Sequence, residues 1–336
     1  MSFQYKISSK YVNGWTIYQG LKLLPSDHIS SDWLFCTEES TLQKALQNGV
    51  GLVKPFLDQR ILDDKFAFHN FLLEIGELSV PSWNLDEINK VAYPIFLKSK
   101  HSWKKGKKMP RGWICYSNTM IASYLKLIDE SDHWKREDFF LQSFLGATTQ
   151  NISVSGYFDY SQPKRNLTIV TQKTIGDKPF ISTGIIVESI PDPDYLIPRT
   201  FRILNHLKYD GPYELEYLFN VNKNHYLVLE LNPRFWMQHG IFLAFYDNGL
   251  LKRYLNLDTP NDYQHDLNYQ HVGWASSIGI LIDMMKGDFR ALQIYLKMKK
   301  EKISVYIAPD ILTALRVLPI LIVNKIFGLN LKVDLF

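Results

Sequence analysis

Gly211 to Trp236 reads GPYELEYLFNVNKNHYLVLELNPRFW. Two runs of alternating apolar and polar residues flank VNKN, a tip of turn-forming chemistry, so the stretch predicts a β-hairpin. In the first run Tyr213, Leu215, Tyr217 and Phe219 share one face, and Glu214, Glu216 and Leu218 share the other. Strict alternation in the second puts Leu227, Leu229 and Leu231 on the apolar face, with Tyr226, Val228, Glu230 and Asn232 opposite. Joining the apolar faces gathers Glu214, Glu216, Glu230 and Asn232 on the far side. A turn centred on Lys223 sets Glu216 against Glu230; one centred on Asn222 sets Glu214 there. Like charges directly opposite destabilise a sheet. Such a face is either solvated, with its side chains splayed, or it holds a hard divalent cation. Mg²⁺ takes oxygen ligands, typically one or two carboxylates with phosphate oxygens and water. Asn232 adds a neutral oxygen, and Arg234 can hold a negative charge bidentately. The hairpin reads as a metal–phosphate clamp.

Around it lie 336 residues, 46% hydrophobic and 21% charged. That is a globular composition, long enough for a sizeable core in two or three lobes. A net charge of +4 permits an anionic ligand but gives no basic stripe, so no nucleic-acid partner is expected. Cys36 and Cys115 are the two cysteines, which fits a reduced, cytoplasmic protein without a zinc cluster. The most apolar stretch, ILTALRVLPILIVNKIFG from Ile311, is interrupted by Arg316, Pro319, Asn324 and Lys325. A membrane span needs about 20 largely apolar residues, so no transmembrane span is expected. A packed C-terminal helix is expected there, with peripheral membrane contact as the alternative.

Upstream, a helix is expected from about Glu39 to Gln47 and a short strand ending at Pro55. DDKFAFHNFLLEIG, from Asp63, has helical apolar spacing and a glycine stop at Gly76. AYPIFLKSK is a strand ending in positive charge, and KKGKKMPRG (Lys104–Gly112) a basic, flexible loop. GWICYS reads as a strand, TMIASYLKLIDE as a helix and FFLQSFLG as a strand. ISVSGYFDY and LTIVTQK are further strands, followed by a loop through Gly184 and a helix from Asp194 to Lys208. Beyond Gly240 the pattern is helical apart from ISVYIAPD, and Trp274 falls in that helical part, as core or as a dimer surface. The mixture, with its antiparallel content, disfavours a simple doubly wound sheet.

Taken in order, these segments resemble the ATP-grasp superfamily, most of all its carboxylate–amine ligase-like branch, whose hairpin ends Glu-x-Asn-Pro-Arg-[Phe/Pro]-Trp. The likeness runs from about Asp58 to Asn248, more than half the chain. It implies an α+β fold in which two α+β lobes clasp ATP, with a short N-terminal α/β lobe over 1–60. The ATP-grasp core would span 61–255, its lid about 93–145, and a mainly helical region would follow over 256–336. Lys65 matches the lysine of the Asp-Lys helix and Lys98 the second phosphate lysine. FFLQSFLG sits where the hinge lines the adenine, which implies contacts at Gln142, Phe144 and Leu145. Lys173 matches a further basic residue, and Lys107 or Lys108 in the basic loop would close over phosphates. Metal ligands would be Glu216, Glu230 and Asn232, and Arg234 would stabilise the developing oxyanion. His101 and His239 are read as ordinary polar or site-rim residues. The implied cofactors are ATP and Mg²⁺, or Mn²⁺ in its place. The implied reaction joins a small-molecule or peptide carboxylate to an amine through an acylphosphate, and a homodimer is compatible with it. An acid–thiol ligase, a kinase or a non-catalytic nucleotide-binding protein would carry the same residues.

Overall fold

A computed structural model of the chain describes residues 6–7, 12–22, 24, 34–37, 64–104, 107–146, 150–176, 184–245, 248–258 and 271–327. The helix expected near Glu39–Gln47, the strand ending at Pro55 and the loop just before Gly184 lie outside the described residues.

The N-terminal elements are β1 (Lys6–Ile7), α1 (Val12–Lys22) and β2 (Leu34–Phe35), with β1 and β2 paired in parallel. Next come α2 (Lys65–Glu74), β3 (Ser82–Trp83), β4 (Ile95–Ser99), β5 (Trp103–Lys104), β6 (Lys107–Lys108), β7 (Gly112–Cys115), α3 (Asn118–Asp129) and β8 (Phe139–Ser143). Four of these strands form an antiparallel sheet in the order β3–β8–β4–β7. Its apolar side chains Ile95, Leu97 and Leu141 are covered by Ile121 and Ile128 of α3. The α3 apolar residues repeat at helical spacing, and Ser117 caps its start by accepting the Met120 N–H at 3.3 Å.

The remainder builds on one large sheet. Its elements are β9 (Asn151–Asp159), β10 (Leu167–Gly176), β11 (Gly184–Ser189), α4 (Leu196–His206), β12 (Asp210–Asn220), β13 (His225–Asn232), α5 (Ile241–Phe245), α6 (Gly249–Tyr254), β14 (Val272–Ser276), α7 (Ser277–Met285), α8 (Arg290–Lys300), β15 (Ser304–Ala308) and α9 (Ile311–Phe327). Seven strands run in the order β13–β12–β9–β10–β11–β14–β15, antiparallel except for β14 with β15. One face packs Ile152, Val154, Tyr213, Leu215 and Tyr217 against Phe68 and Leu72 of α2 and Ile203 and Leu204 of α4. The opposite face sets Tyr157, Leu167, Ile169, Val187 and Trp274 against Ile17 of α1, Phe235, Trp236 and Phe242.

Between β9 and β10, Arg165 makes a buried polar knot. Its guanidinium donates to Asp159 at 2.9 Å, to both Asp258 oxygens at 2.8 Å, to the Arg253 carbonyl at 2.7 Å and to Asn256 at 3.1 Å. Both carboxylates and the guanidinium are buried, so the geometry must satisfy every charge it hides.

Two elements differ from the sequence reading. Trp274 lies on a strand, β14, and is fully buried, so it is core and offers no dimer surface. All five β14 residues are buried, and a strand covered on both faces loses the period-2 signal that would reveal it. The basic segment, outside Lys105 and Gly106, which lie beyond the described residues, takes part in a two-stranded ladder, with Trp103 opposite Lys108 and Lys104 opposite Lys107. Lys104 is held by Asp138, and Met109 is buried with its N–H 3.0 Å from the Ser102 carbonyl.

Candidate functional site

The hairpin register follows from its tip and from one extra residue. Asn220 pairs with His225, which brackets a four-residue turn centred between Asn222 and Lys223. Towards the other end Glu216 faces Glu230 and Glu214 faces Asn232, while Tyr217 faces Val228. Leu229 is therefore a β-bulge, two residues opposing one across the ladder. It reverses the expected faces on the tip side alone: Tyr226 and Val228 turn into the core beside Tyr217, while Glu230 and Asn232 join Glu214 and Glu216 as strict alternation predicts. The same rows continue across the sheet, with Ser153 between Glu216 and Thr171, and Ser155 between Glu214 and Ile169. The result is a polar floor.

Hydrogen bonds tie the floor together. Asn232 donates through Nδ2 to Glu214 at 2.9 Å and to Glu216 at 3.1 Å. Asn151 donates to the other Glu216 oxygen at 3.2 Å, and its own Oδ1 is buried with no donor among the described residues facing it. Lys98 reaches across from the four-stranded sheet, 3.1 Å from Glu230 and 3.2 Å from Gln142 Oε1. Gln142 in turn donates to Ser82 at 3.2 Å. Gly112 stands opposite Lys98, at a φ of +128°, and a Cβ there would come within 2.2 Å of the Leu97 carbonyl. Only glycine lets β7 lie that close to the strand carrying Lys98.

Lys65 is the first residue of α2. Asp64 caps that helix by accepting the Phe66 and Ala67 N–H groups at 2.9 and 3.0 Å, and Lys65 Nζ donates to Ser102 at 3.0 Å.

The charges sort into two ends. Burial alone would raise the Glu230 carboxyl, but Lys98 foremost, with Lys65 and Arg111, holds it below the usual carboxylate range. At the other end burial, reinforced by Glu216, pushes Glu214 up to about 8 against the pull of Arg234 and Lys173. Arg234 Nη2 lies 3.5 Å from Asn232 Oδ1. Gln238 joins this end: a Cβ on Gly184 would sit 3.3 Å from Gln238 Nε2 and 3.4 Å from Lys173 Cγ.

Of the residues singled out in the sequence, Lys65, Lys98, Gln142, Lys173, Glu216, Glu230, Asn232 and Arg234 gather here. Phe144 and Leu145 follow β8 directly, half-buried beyond Gln142. Lys108 is exposed on β6, and Lys107 is bonded to His133, so the cation that the basic segment turns to Glu230 is Arg111. Arg111 was visible only as one cation among five in that run. Asn151 opens a strand of alternating apolar and hydroxyl residues and carried no sign of a site role. His239 is not a rim residue: it is 2% exposed, its Nδ1 lies 2.5 Å from the Trp236 carbonyl, and burial pushes its pKa down to about 4.

Among the described residues no three or more His, Cys, Asp or Glu side chains are grouped as a metal cage. The donor set of two facing carboxylates, an amide and a nearby unmatched Asn151 oxygen instead suits a Mg²⁺ ion that brings phosphate oxygens and water with it.

No protein-family model matches the chain, and no curated protein sequence does. Solved structures do match. The biotin carboxylase–beta-gamma-ATP complex from Campylobacter jejuni shares 12% identity at a TM-score of 0.54, over 72% of this chain and 58% of that one. The N5-carboxyaminoimidazole synthetase from Staphylococcus aureus complexed with ADP gives 12% and 0.51, over 78% and 80%. The biotin carboxylase domain of Hydrogenobacter thermophilus 2-oxoglutarate carboxylase, with MgADP and bicarbonate, gives 13% and 0.51, over 69% and 52%. The chain spans between 23% and 58% of the first three carboxylase structures it matches. These likenesses establish the fold: the chain is an α+β protein of ATP-grasp architecture.

Proposed function

We propose that the protein is an ATP- and Mg²⁺-dependent ligase that joins a carboxylate to an amine through an acylphosphate. The observation that carries this reading is the meeting of Lys98, from one sheet, with the Glu216–Glu230–Asn232 floor of the other. Nucleotides are bound in the carboxylase and synthetase structures of the same fold, which supports ATP as the ligand here. Lys65, Lys98 and Arg111 would neutralise the phosphates, with Gln142, Phe144 and Leu145 toward the base. Mg²⁺ or Mn²⁺ on Glu216, Glu230 and Asn232 would supply charge neutralisation between the phosphates. Phosphoryl transfer asks mainly for such positioning and charge, not for acid–base groups. A substrate carboxylate oxygen would take the γ-phosphoryl group from ATP, releasing ADP, and an amine would then attack the acyl carbon and displace phosphate to leave the amide. Arg234 at the Glu214 end would hold the acyl oxygen, a role worth about 3–4 kcal/mol per lost donor, and Lys173 would add to the cations around ATP. The core would span 61–255, with residues 93–145 as the lid.

The test is phosphate release from ATP over mixtures of carboxylates and amines, with Glu230→Gln as the blank. Amine-dependent release that vanishes in the blank supports the ligase. Release with thiols alone, or ATP turnover that needs no acceptor beyond an alcohol, would redirect the reading to an acid–thiol ligase or a kinase.

A further inference from the structure

Lys98 stands on a carboxylate that a metal ion would need. Its ammonium donates to Glu230 at 3.1 Å and to Gln142 Oε1 at 3.2 Å, and the residue is 9% exposed. Lys65 and Arg111 add their positive charge at longer range. Asn232 is committed in the same sense. Its amide nitrogen donates to Glu214 at 2.9 Å and to Glu216 at 3.1 Å, and its oxygen lies 3.5 Å from Arg234. The second Glu216 oxygen accepts from Asn151 at 3.2 Å. Each of Glu216, Glu230 and Asn232 is thus bonded to the chain itself.

A dication on Glu230 would stand beside the Lys98 ammonium, and like charges that close repel strongly where water is partly excluded. For the metal to enter, the ammonium must leave. Moved with no anion to meet, it would become a buried charge without a partner, which is strongly unfavourable. A polyphosphate changes the balance by offering anionic oxygens in exchange. The exchange can be stepwise, because an ammonium has three donors and Glu230 and Gln142 take two of them. The flexible four-carbon stem of lysine lets the head group move while the strand stays in place. Asn232 needs only a half-turn of its amide to bring its oxygen where its nitrogen now lies.

We propose that Lys98 is a place-holder for the metal. It keeps bare divalent cations off Glu230 and releases that carboxylate to a ligand whose phosphates take its ammonium. The inference rests on the Mg²⁺–ATP part of the ligase reading and adds a condition of entry: metal affinity is coupled to phosphate.

Mn²⁺ titration of the full chain without nucleotide, followed by electron paramagnetic resonance, tests it. Lys98→Met should bind Mn²⁺ about 10- to 100-fold more tightly than the wild type, the range of one hydrogen bond to a charged group. Adding Glu230→Gln should remove that gain. Lys98→Arg keeps the charge and should leave Mn²⁺ as weakly bound as in the wild type. Calorimetry with ADP in EDTA should move the other way, with Lys98→Met weakening binding about tenfold or more. Loosened packing would not shift the two ligands in opposite directions. Thermal unfolding verifies each variant, and Lys98→Gln repeats the measurements if the methionine variant does not fold. Mn²⁺ affinity within about twofold of the wild type in the uncharged variants overturns the proposal, as does ADP binding that they leave unchanged. The ligase reading fails separately. Tightened Mn²⁺ and weakened ADP, with no phosphate release over any carboxylate and amine, keep the place-holder and sink the ligase; unchanged Mn²⁺ with amine-dependent release does the reverse.

Discussion

The Arg165 knot and the hairpin floor are both built on the central sheet from carboxylates near β9, yet their charges balance differently. In the knot one guanidinium serves two aspartates and two further oxygens, so each of its three nitrogens is bonded within the protein. In the floor three glutamates meet, with Lys98 directly on Glu230 alone and Glu214 driven towards its neutral form. A buried cluster built for stability satisfies its groups internally; carboxylates and cations facing one another across a cleft, with one carboxyl driven towards neutral, are the pattern of a functional site.

Removing the centre of the knot should give the largest effect. Arg165→Met leaves Asp159 and Asp258 buried without their cation, for a loss of about 3–5 kcal/mol, read as a Tm lower by about 10 °C. An unchanged Tm would show that the two clusters do not differ as described. Next is the pH dependence from His239, a buried polar group that stays neutral. Its folded pKa, about 4, lies below the unfolded value, so its stabilising contribution is full above pH 6.5 and fades as pH falls towards 4. Chemical denaturation across that range should show a loss approaching ~3 kcal/mol, flattened in His239→Gln.

The floor itself should respond through its ligand. MgATP at a hundredfold excess over its Kd should stabilise the wild type by about 2.7 kcal/mol, and Glu230→Gln should abolish that gain while changing the metal-free protein far less. If the variant keeps the MgATP-dependent shift, the floor is not the metal site. The smallest effect is expected from Asp64→Ala. Loss of the α2 cap should cost about 1 kcal/mol in unfolding experiments and weaken ATP binding in calorimetry, because Lys65 begins that helix.

Much of this was legible in the chain. The alternation of PYELEYLF, the cap and spacing of DDKFAF and the charged end of IFLKS each encode a local preference, and the ordered set points to the fold. What escaped notice depends on long-range pairing. Arg111 becomes a site residue only because Gly112 brings β7 against Lys98, and Asn151 only because β9 pairs with β12. β14 was hidden because full burial erases alternation. The choice between Glu214 and Glu216 opposite Glu230 was open for a similar reason, since the bulge at Leu229 has no sequence signature of its own.

That bulge divides β13 into two reading frames. Before Leu229, odd and even positions answer to the packing of Tyr226 and Val228; after it, the parity switches and answers to the cleft. Deleting Leu229 alone would restore strict alternation with both halves facing as they do now, Val228 opposite Tyr217 and Glu230 opposite Glu216. Deleting Leu231 instead would turn Asn232 from the cleft towards the core. The extra residue is thus spare for the facing of the strand, whereas the spacing from Glu230 to Asn232 is a constraint on length as strict as any on residue identity.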